Sequence, residues 1–219
     1  MTATITGQSG QPIRFLTKPN VNGDDVALMA NVGPVTNFDS ATGTVIIPSG
    51  LEIGTRRLIR KIHPTQGTVT IECTGETFTR AGLASVELNA DGDYWLLEKV
   101  TATRWELVDG WNTGENANGR WIKRANGKIE ISNSNVASLM TDIAANNIFR
   151  STGYTWSYPI GLIENAGASA YCNTLITASL RWVSVNGVGD NSLNINMFSA
   201  TSSTALISVG VGVLARWYV

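Results

Sequence analysis

The stretch Gly119–Ile131, with the sequence GRWIKRANGKIEI, decides the expected fold of the second half of the chain. Two short runs of β-forming residues flank Ala125–Gly127, and Lys128 and Glu130 alternate with isoleucines in the second run. An Asn-Gly pair before a strand supplies the positive φ angles that a tight turn needs. The stretch therefore predicts a β-hairpin.

The residues before this hairpin are small, polar and turn-prone. Residues 112–119 read NTGENANG, a composition typical of a loop, and a long β-rich half lies on either side of them. We therefore expect two small domains joined by a short hinge. The expected divisions are an N-terminal linker or edge segment at residues 1–40, a β domain at 41–110, the hinge at 111–118 and a second domain at 119–219.

The composition is that of an all-β protein with many turns. Charged residues make up 15% of the 219 residues, against about a quarter in typical soluble domains. The 16 basic and 17 acidic residues leave a net charge of −1, so we expect no nucleic-acid partner. No apolar run approaches the roughly 18 residues of a membrane span, so we expect no membrane insertion. The N-terminus also lacks the basic and apolar regions of a signal peptide.

Three features that could carry chemistry each have a plain structural interpretation. The basic cluster Arg56–Lys61 would place charges on both faces of a strand, which favours a solvated surface, with a polyanion site as the alternative. Cys73 and Cys172 lie among β-branched or small residues, which favours two buried free thiols over a disulfide. The single histidine, His63, precedes a proline and is expected to be a turn residue rather than a catalytic base or zinc ligand.

The first half shows six strand-like segments, each pair bounded by turn residues. Their spacing of 8 to 14 residues predicts a small antiparallel sandwich or barrel. The segments are residues 44–47, 58–62, 68–73, 85–88, 93–100 and 103–108.

The second half combines one helical pattern with several aromatic strands. Residues 134–147 carry apolar side chains at helical spacing behind a Ser/Asn cap, which predicts a short helix, with an irregular loop as the alternative. Strands are expected at residues 154–159, 171–176, 180–185, 192–198 and 204–209, before the ending at 211–218. That ending is apolar, so it must be buried, either in its own sheet or against sister subunits.

These segments resemble the tail fibres of bacteriophages. The hairpin at Gly119–Ile131, the segment Tyr154–Pro159 and the ending Val213–Val219 resemble, in order, three motifs of the C-terminal fibre-tip domain. The first half resembles a β bead domain of tail fibres and spikes. Its four matching pieces are Gly54–Lys61, Thr68–Ile71, Gly92–Tyr94 and Trp105–Leu107.

The resemblance implies a receptor-binding protein of the virion tail, made in the host cytoplasm and assembled as an intertwined homotrimer. Its implied partners are other tail or baseplate proteins and a receptor on the bacterial surface. That receptor would be a glycan, such as lipopolysaccharide or capsule, or an outer-membrane protein.

Glycan recognition directs attention to exposed aromatic and polar side chains. Our candidate ligand-binding residues are Trp182 and Arg181 on one strand, and Asp190 and Asn191 in the loop that follows it, with Tyr171 as a secondary candidate. Loops are favoured because a scaffold keeps packing on its strands and recognition between them. The alternative is that these aromatic side chains belong to the core or to a subunit interface.

Two other functions remain open. A polysaccharide depolymerase needs two carboxyl groups about 5 to 10 Å apart, and the second half shows no close pair in sequence. A serine hydrolase lacks the Gly-x-Ser-x-Gly motif. We therefore expect no enzyme, catalytic residue or cofactor, and no metal ligand cluster, although an ion on a three-fold axis stays open. The other alternative is a structural fibre or adaptor segment without receptor contact.

Overall fold

The computed structural model describes residues 35–160, 164–174 and 181–218, together with four short strands nearer the N-terminus. Every regular element in these ranges is a β-strand, so the chain is all-β, as the sequence predicts. The described part holds no helix long and apolar enough to cross a membrane. The chain divides into two compact units, Met1–Gly110 and Trp111–Val219.

Twelve strands begin within the described ranges of the first unit, and they include the six that the sequence predicts. The last of them, β12, crosses the division after Gly110. The strands are β1 (Ile5–Thr6), β2 (Pro12–Ile13), β3 (Asn20–Val21), β4 (Asp25–Ala27), β5 (Val35–Phe38), β6 (Gly43–Ile47), β7 (Arg56–Lys61), β8 (Val69–Cys73), β9 (Thr77–Phe78), β10 (Ser85–Leu88), β11 (Tyr94–Thr101) and β12 (Arg104–Asn116).

The pairing in the first unit is mixed, so the expected purely antiparallel arrangement is wrong there. Strands β3, β5 and β7 pair in parallel in one sheet, and β4, β6 and β8 pair in parallel in another. Successive strands thus alternate between the two sheets. Parallel neighbours need a long connection between them, and here that connection contains a strand of the other sheet, as β6 does between β5 and β7. Antiparallel pairing occurs between β1 and β2, and again where β10 joins β8 and β11 joins β7.

The basic cluster on β7 is divided between the two faces of its strand. Arg56 and Arg60 are exposed as expected, whereas Arg57 and Lys61 are buried, so a solvated surface is wrong for those two. Burial lowers the pKa of Lys61, while Asp93 and Asp91 oppose this effect. The Lys61 Nζ atom donates hydrogen bonds to the carbonyl oxygens of Ala41, Gly67 and Asn89 at 2.9, 2.5 and 2.9 Å.

A further buried cation, Lys99, lies within a polar network in the core of the first unit. Lys99 Nζ contacts Glu76 Oε1 at 2.5 Å, and the indole N–H of Trp105 donates to Glu76 Oε2 at 2.7 Å. The thiol of Cys73 also donates to Glu76 Oε2, at 3.3 Å, and the backbone N–H of Gly50 donates to Oε1 at 3.0 Å. Cys73 is therefore a buried free thiol, as expected, whereas the side chain of Cys172 lies outside the described residues.

Where the structure describes the second unit, its strands form two antiparallel sheets. Strands β18, β21, β14, β13 and β12 lie in this order in one; in the other, β20 pairs with β16, β17 and β19. The further strands are β13 (Gly119–Arg124), β14 (Lys128–Thr141), β15 (Ile143–Ala145), β16 (Ile148–Arg150), β17 (Tyr154–Ser157), β18 (Glu164–Thr174), β19 (Arg181–Val188), β20 (Ser192–Ser199) and β21 (Ser203–Arg216).

The predicted hairpin is present, formed by β13 and β14. Trp121 faces Ile131 across the pair, and the amide of Gly127 donates to the carbonyl oxygen of Arg124 at 3.1 Å. Only Gly127, at φ +79°, has a positive φ in the turn, so the connection is a turn closed by a glycine bulge. The Asn126 side chain accepts from the amide of Lys128 at 3.1 Å, which helps to fix the turn.

Two local predictions for the second half are wrong. Residues 111–116 of the expected hinge belong to strand β12, which pairs with β13, and only Ala117 and Asn118 form the turn between these strands. The expected helix over residues 134–147 is instead the end of β14, then β15 and the turn that leads into β16. Pairing of this segment with β21, as at Leu139 and Ile207, supplies backbone hydrogen bonds that outweigh its weak helical periodicity.

Candidate functional site

The structure separates the sequence-predicted site residues rather than gathering them. Trp182 lies near the start of β19 with 45% of its surface exposed, whereas Asp190 and Asn191 are exposed in the turn after β19. Eight residues of extended chain put about 25 Å between Trp182 and Asp190. Arg181 and Tyr171 lie on β19 and β18, but their side chains fall outside the described residues.

Trp182 belongs to a row of side chains that crosses three adjacent strands. Phe198 of β20 faces Trp182 of β19 on one side and Arg150 of β16 on the other. Residues directly opposite each other in antiparallel strands project from the same face of the sheet. The Trp182 and Phe198 rings are stacked, with centroids 5.8 Å apart and planes inclined by 15°. We call Trp182, Phe198 and Arg150 the aromatic platform.

The alternation of β20 explains why this platform faces outward. Leu193, Ile195 and Met197 project from one face and are completely buried, so that face belongs to the core. Phe198 is a residue of the opposite face and is half-buried. The exposure of an indole above it leaves an apolar surface that is open to a ligand.

Amide and hydroxyl side chains continue the same face of the sheet beside the platform. The Asn186 amide donates to Asn196 Oδ1, and Asn196 Nδ2 donates to the carbonyl oxygen of Ser151 at 3.1 Å. Further along β20, the Thr155 hydroxyl donates to Asn194 Oδ1 at 2.6 Å. These bonds hold the polar side chains in fixed positions, while Asn186, Asn194 and Thr155 stay exposed to solvent.

The Asp190 end of the sheet has a different character. The amide of Tyr158 donates to the carbonyl oxygen of Asn191 at 2.9 Å, and the rings of Tyr158 and Trp156 meet edge to face at 5.3 Å. Burial, together with the negative charge of Asp190, raises the pKa of Tyr158 to about 12. Asp190 and Asn191 therefore border a packed aromatic pair, whose rings are buried and offer no surface for stacking.

The chemistry of the platform is that of noncovalent recognition. An exposed indole packs against apolar C–H surfaces, and an adjacent guanidinium donates up to five hydrogen bonds in a fixed geometry. Neighbouring amides and hydroxyls both donate and accept. Among the described residues, no group of three or more His, Cys, Asp or Glu side chains is arranged to hold a metal ion.

The sequence identified Trp182 but missed Phe198 and Arg150. The missing information is the register, because Phe198 is 16 residues and Arg150 is 32 residues from Trp182 along the chain. Phe198 can be found from the sequence by pairing the alternating segments at residues 180–185 and 192–198 through the turn-prone residues 186–191 between them. Nothing local marks Arg150 as the third member.

The chain matches no protein-family model, and no curated protein matches its sequence.

Proposed function

We propose that this protein is a receptor-binding protein of a phage tail fibre, and that it attaches the virion to a glycan on the bacterial surface. The observation that carries the proposal is the aromatic platform, in which an exposed Trp182 stacks on Phe198 beside Arg150. The motif resemblance of the sequence to tail fibres supplies the biological setting.

Physical chemistry favours a saccharide as the ligand of such a surface. Sugar rings have an apolar C–H face and an edge of hydroxyl groups, so they match an indole that is bordered by amides and a guanidinium. Tryptophan is also the residue type most enriched among those that dominate binding energies. A platform that is open and shallow suits a long surface polymer, which needs no enclosed pocket.

A homotrimer would make weak contacts effective. Three platforms on one fibre, and several fibres on one particle, would raise avidity through effective concentration, without requiring high affinity at a single platform. Other tail or baseplate proteins would then be the partners that carry the fibre on the virion. A structural segment without receptor contact and a depolymerase are the competing functions.

The proposal is tested by the binding of fluorescently labelled protein to a panel of bacterial strains and to mutants stripped of surface polysaccharide. We expect selective binding that disappears in the stripped mutants and falls at least tenfold in Trp182→Ala. Trp111→Ala, which removes a tryptophan that is 39% exposed and lies outside the platform, is the matched control and should bind normally.

Each other result points to a competing function. Binding that survives stripping would indicate a protein receptor. Absence of binding to every strain would favour the structural segment. Release of reducing ends from purified polysaccharide would show that the protein is a depolymerase.

A further inference from the structure

A cleft of about 650 Å³ opens in the second unit, on the sheet formed by β12, β13, β14 and β21. Its size lies within the range of about 300 to 1,000 Å³ that is usual for small-molecule sites. None of the aromatic platform residues lines it. The lining of the cleft includes the side chains of Glu115, Arg120, Ser132 and Ser134, and the backbone of Gly119 and Gly210.

The cleft exists because β14 bulges away from β21. Asn133 pairs with Val211 and Ala137 pairs with Val209, so four steps along β14 match only two along β21. The additional residues of β14, which include Ser134, lie opposite Gly210 and are not part of the regular β-ladder. A side chain at Gly210 would begin 3.1 Å from the carbonyl oxygen of Ser134, so glycine allows this close passage. Bulges of this kind redirect side chains and are frequent beside binding sites.

Two opposite charges lie side by side in this cleft without forming an ion pair. Glu115 and Arg120 face each other across β12 and β13, where Cβ atoms are about 5 Å apart. Arg120 Nε donates to Ser132 Oγ at 3.2 Å. Among the described residues, the Glu115 carboxylate and the Arg120 terminal nitrogens have no hydrogen-bond or ion-pair partner. Both groups are exposed to solvent and can meet a ligand.

The wall of the cleft is held in place by asparagine side chains. Asn116 Nδ2 donates to the carbonyl oxygen of Pro159 at 2.8 Å, and its Oδ1 accepts from the amide of Asn118 at 2.9 Å. Asn133 Nδ2 donates to the carbonyl oxygen of Asn118 at 3.0 Å, which ties the β12–β13 turn to β14. The indole of Trp156 donates to the same oxygen at 2.8 Å. A cleft fixed in this way loses little conformational freedom when it binds a ligand.

We propose that this cleft is a second binding site, which takes a neutral sugar residue through Glu115 and Arg120. A carboxylate only accepts hydrogen bonds and a guanidinium only donates them, so a ligand must offer donors and acceptors side by side. Adjacent hydroxyl groups of a sugar do so. An anionic group can pair with Arg120 only close to the Glu115 carboxylate, and a cationic group can pair with Glu115 only close to Arg120, so the repulsion offsets the attraction and a neutral sugar is favoured over uronates and amino sugars with a free amine.

This inference rests on the proposed glycan recognition but places it at a site separate from the platform. The test therefore uses single sugars and compares variants of the two sites. Methyl glycosides of neutral hexoses and N-acetylhexosamines, with a methyl hexuronate as the anionic probe, are titrated by NMR into the 219-residue chain. The variants are Glu115→Gln, Arg120→Gln and Trp182→Ala. Glu52→Gln and Arg80→Gln are matched controls at exposed positions that do not line the cleft.

We expect at least one neutral glycoside to bind, and its Kd to rise about tenfold or more in Arg120→Gln. Glu115→Gln should raise the Kd of the neutral glycoside. It should also reduce the ratio of the hexuronate Kd to the neutral-glycoside Kd, because it removes the charge that repels the hexuronate. The controls should leave both Kd values unchanged. Trp182→Ala should leave the cleft affinity unchanged, whatever it does to binding by whole cells.

Two results would overturn the inference. One is that no neutral glycoside has a Kd that depends on Arg120 and Glu115. The other is that the hexuronate binds the wild-type protein more tightly than every neutral glycoside. Suppose that Trp182→Ala no longer binds cells, whereas every glycoside has the same Kd in Arg120→Gln as in the wild-type protein. That pair of results would reject the cleft as a sugar site and would support the proposed function of the platform.

Discussion

The indole N–H of Trp217 donates a hydrogen bond of 2.9 Å to the carbonyl oxygen of Arg124, which joins the end of the chain to the turn of the β13–β14 hairpin. The Trp217 amide donates to the carbonyl oxygen of Gly127 at 3.0 Å, and the Tyr218 hydroxyl donates to that of Ala125. The Lys123 ammonium lies 5.2 Å from the centre of the Trp217 ring. One face of the apolar C-terminal ending, with Val213, Ala215 and Trp217, is therefore buried in its own sheet, whereas Leu214 on the other face is exposed.

Removal of this clasp should destabilise the second unit. Trp217→Ala leaves a cavity and removes one of the two hydrogen bonds that the Arg124 carbonyl oxygen accepts, so we expect the free energy of unfolding to fall by about 3–5 kcal/mol. Trp217→Phe keeps most of the packing and should cost less than Trp217→Ala. Denaturant titration followed by circular dichroism measures both, with the exposed Trp111→Ala as the control. A Trp217→Ala protein as stable as the wild-type protein would show that the clasp contributes nothing.

The buried Lys99–Glu76 pair should be sensitive to loss of one partner. Lys99→Met leaves the Glu76 carboxylate buried without its cation, and we expect a loss of about 3–5 kcal/mol. The exposed Arg56–Glu98 pair is the comparison, and Arg56→Met should cost less than about 1 kcal/mol. Equal costs for the two substitutions in thermal or denaturant unfolding would contradict this difference.

The same network should set an acid limit, that is, a pH below which the stability of the folded protein declines. Burial alone would raise the pKa of Glu76, but hydrogen bonds from Lys99, Gly50, Cys73 and Trp105 hold it below its ordinary value of 4.5. A carboxyl group with a lowered pKa in the folded state stabilises the protein above its unfolded pKa. That contribution is lost as the pH falls through the folded pKa.

Stability should therefore decline as the pH falls below about 4.5, and Glu76→Gln should show a shallower decline from a lower starting value. Unfolding free energies measured from pH 7 to pH 3 check both expectations. If the wild-type protein and Glu76→Gln lose stability in parallel, Glu76 is not a source of the acid limit.

Gly119, the first residue of the hairpin stretch, should not tolerate a side chain. Its φ is +132°, and a Cβ atom there would approach the carbonyl oxygen of Ser132 to 2.5 Å. Gly119→Ala should cost about 1–3 kcal/mol or more. Gly153→Ala is the control, because the nearest atom to its Cβ would be 3.6 Å away, on Asn196. Thermal unfolding of both variants should separate them clearly, and indistinguishable midpoints would contradict the strain at Gly119.

The sequence correctly predicted the features that depend on residues close together in the chain. Ala125–Gly127 marked the hairpin turn because a glycine is needed at its positive φ, and the alternation around Ile195 marked β20 as half-buried. The pairing of β5 with β7 in parallel was missed, because Val35 meets Leu58 across 23 residues and no local signal records it. The burial of Lys61 was missed for the same reason, since three carbonyl oxygens from separate loops surround its ammonium.

The site was predicted only in part. Trp182 is exposed, but Asp190 was grouped with it from proximity in sequence, and the length of β19 separates the two. The cleft depends on a bulge of β14 opposite Gly210, where the sequence pattern instead favoured a helix. An error in secondary structure at residues 134–147 thus hid the cleft.

The most direct test of the account is a crystal structure of the protein with an oligosaccharide from the surface glycan of a strain that it binds. The account predicts a sugar ring lying flat on the indole of Trp182, with its hydroxyl groups within hydrogen-bond distance of Arg150. A structure in which Trp182 is buried between subunits, or in which the sugar contacts neither Trp182 nor Arg150, would contradict it.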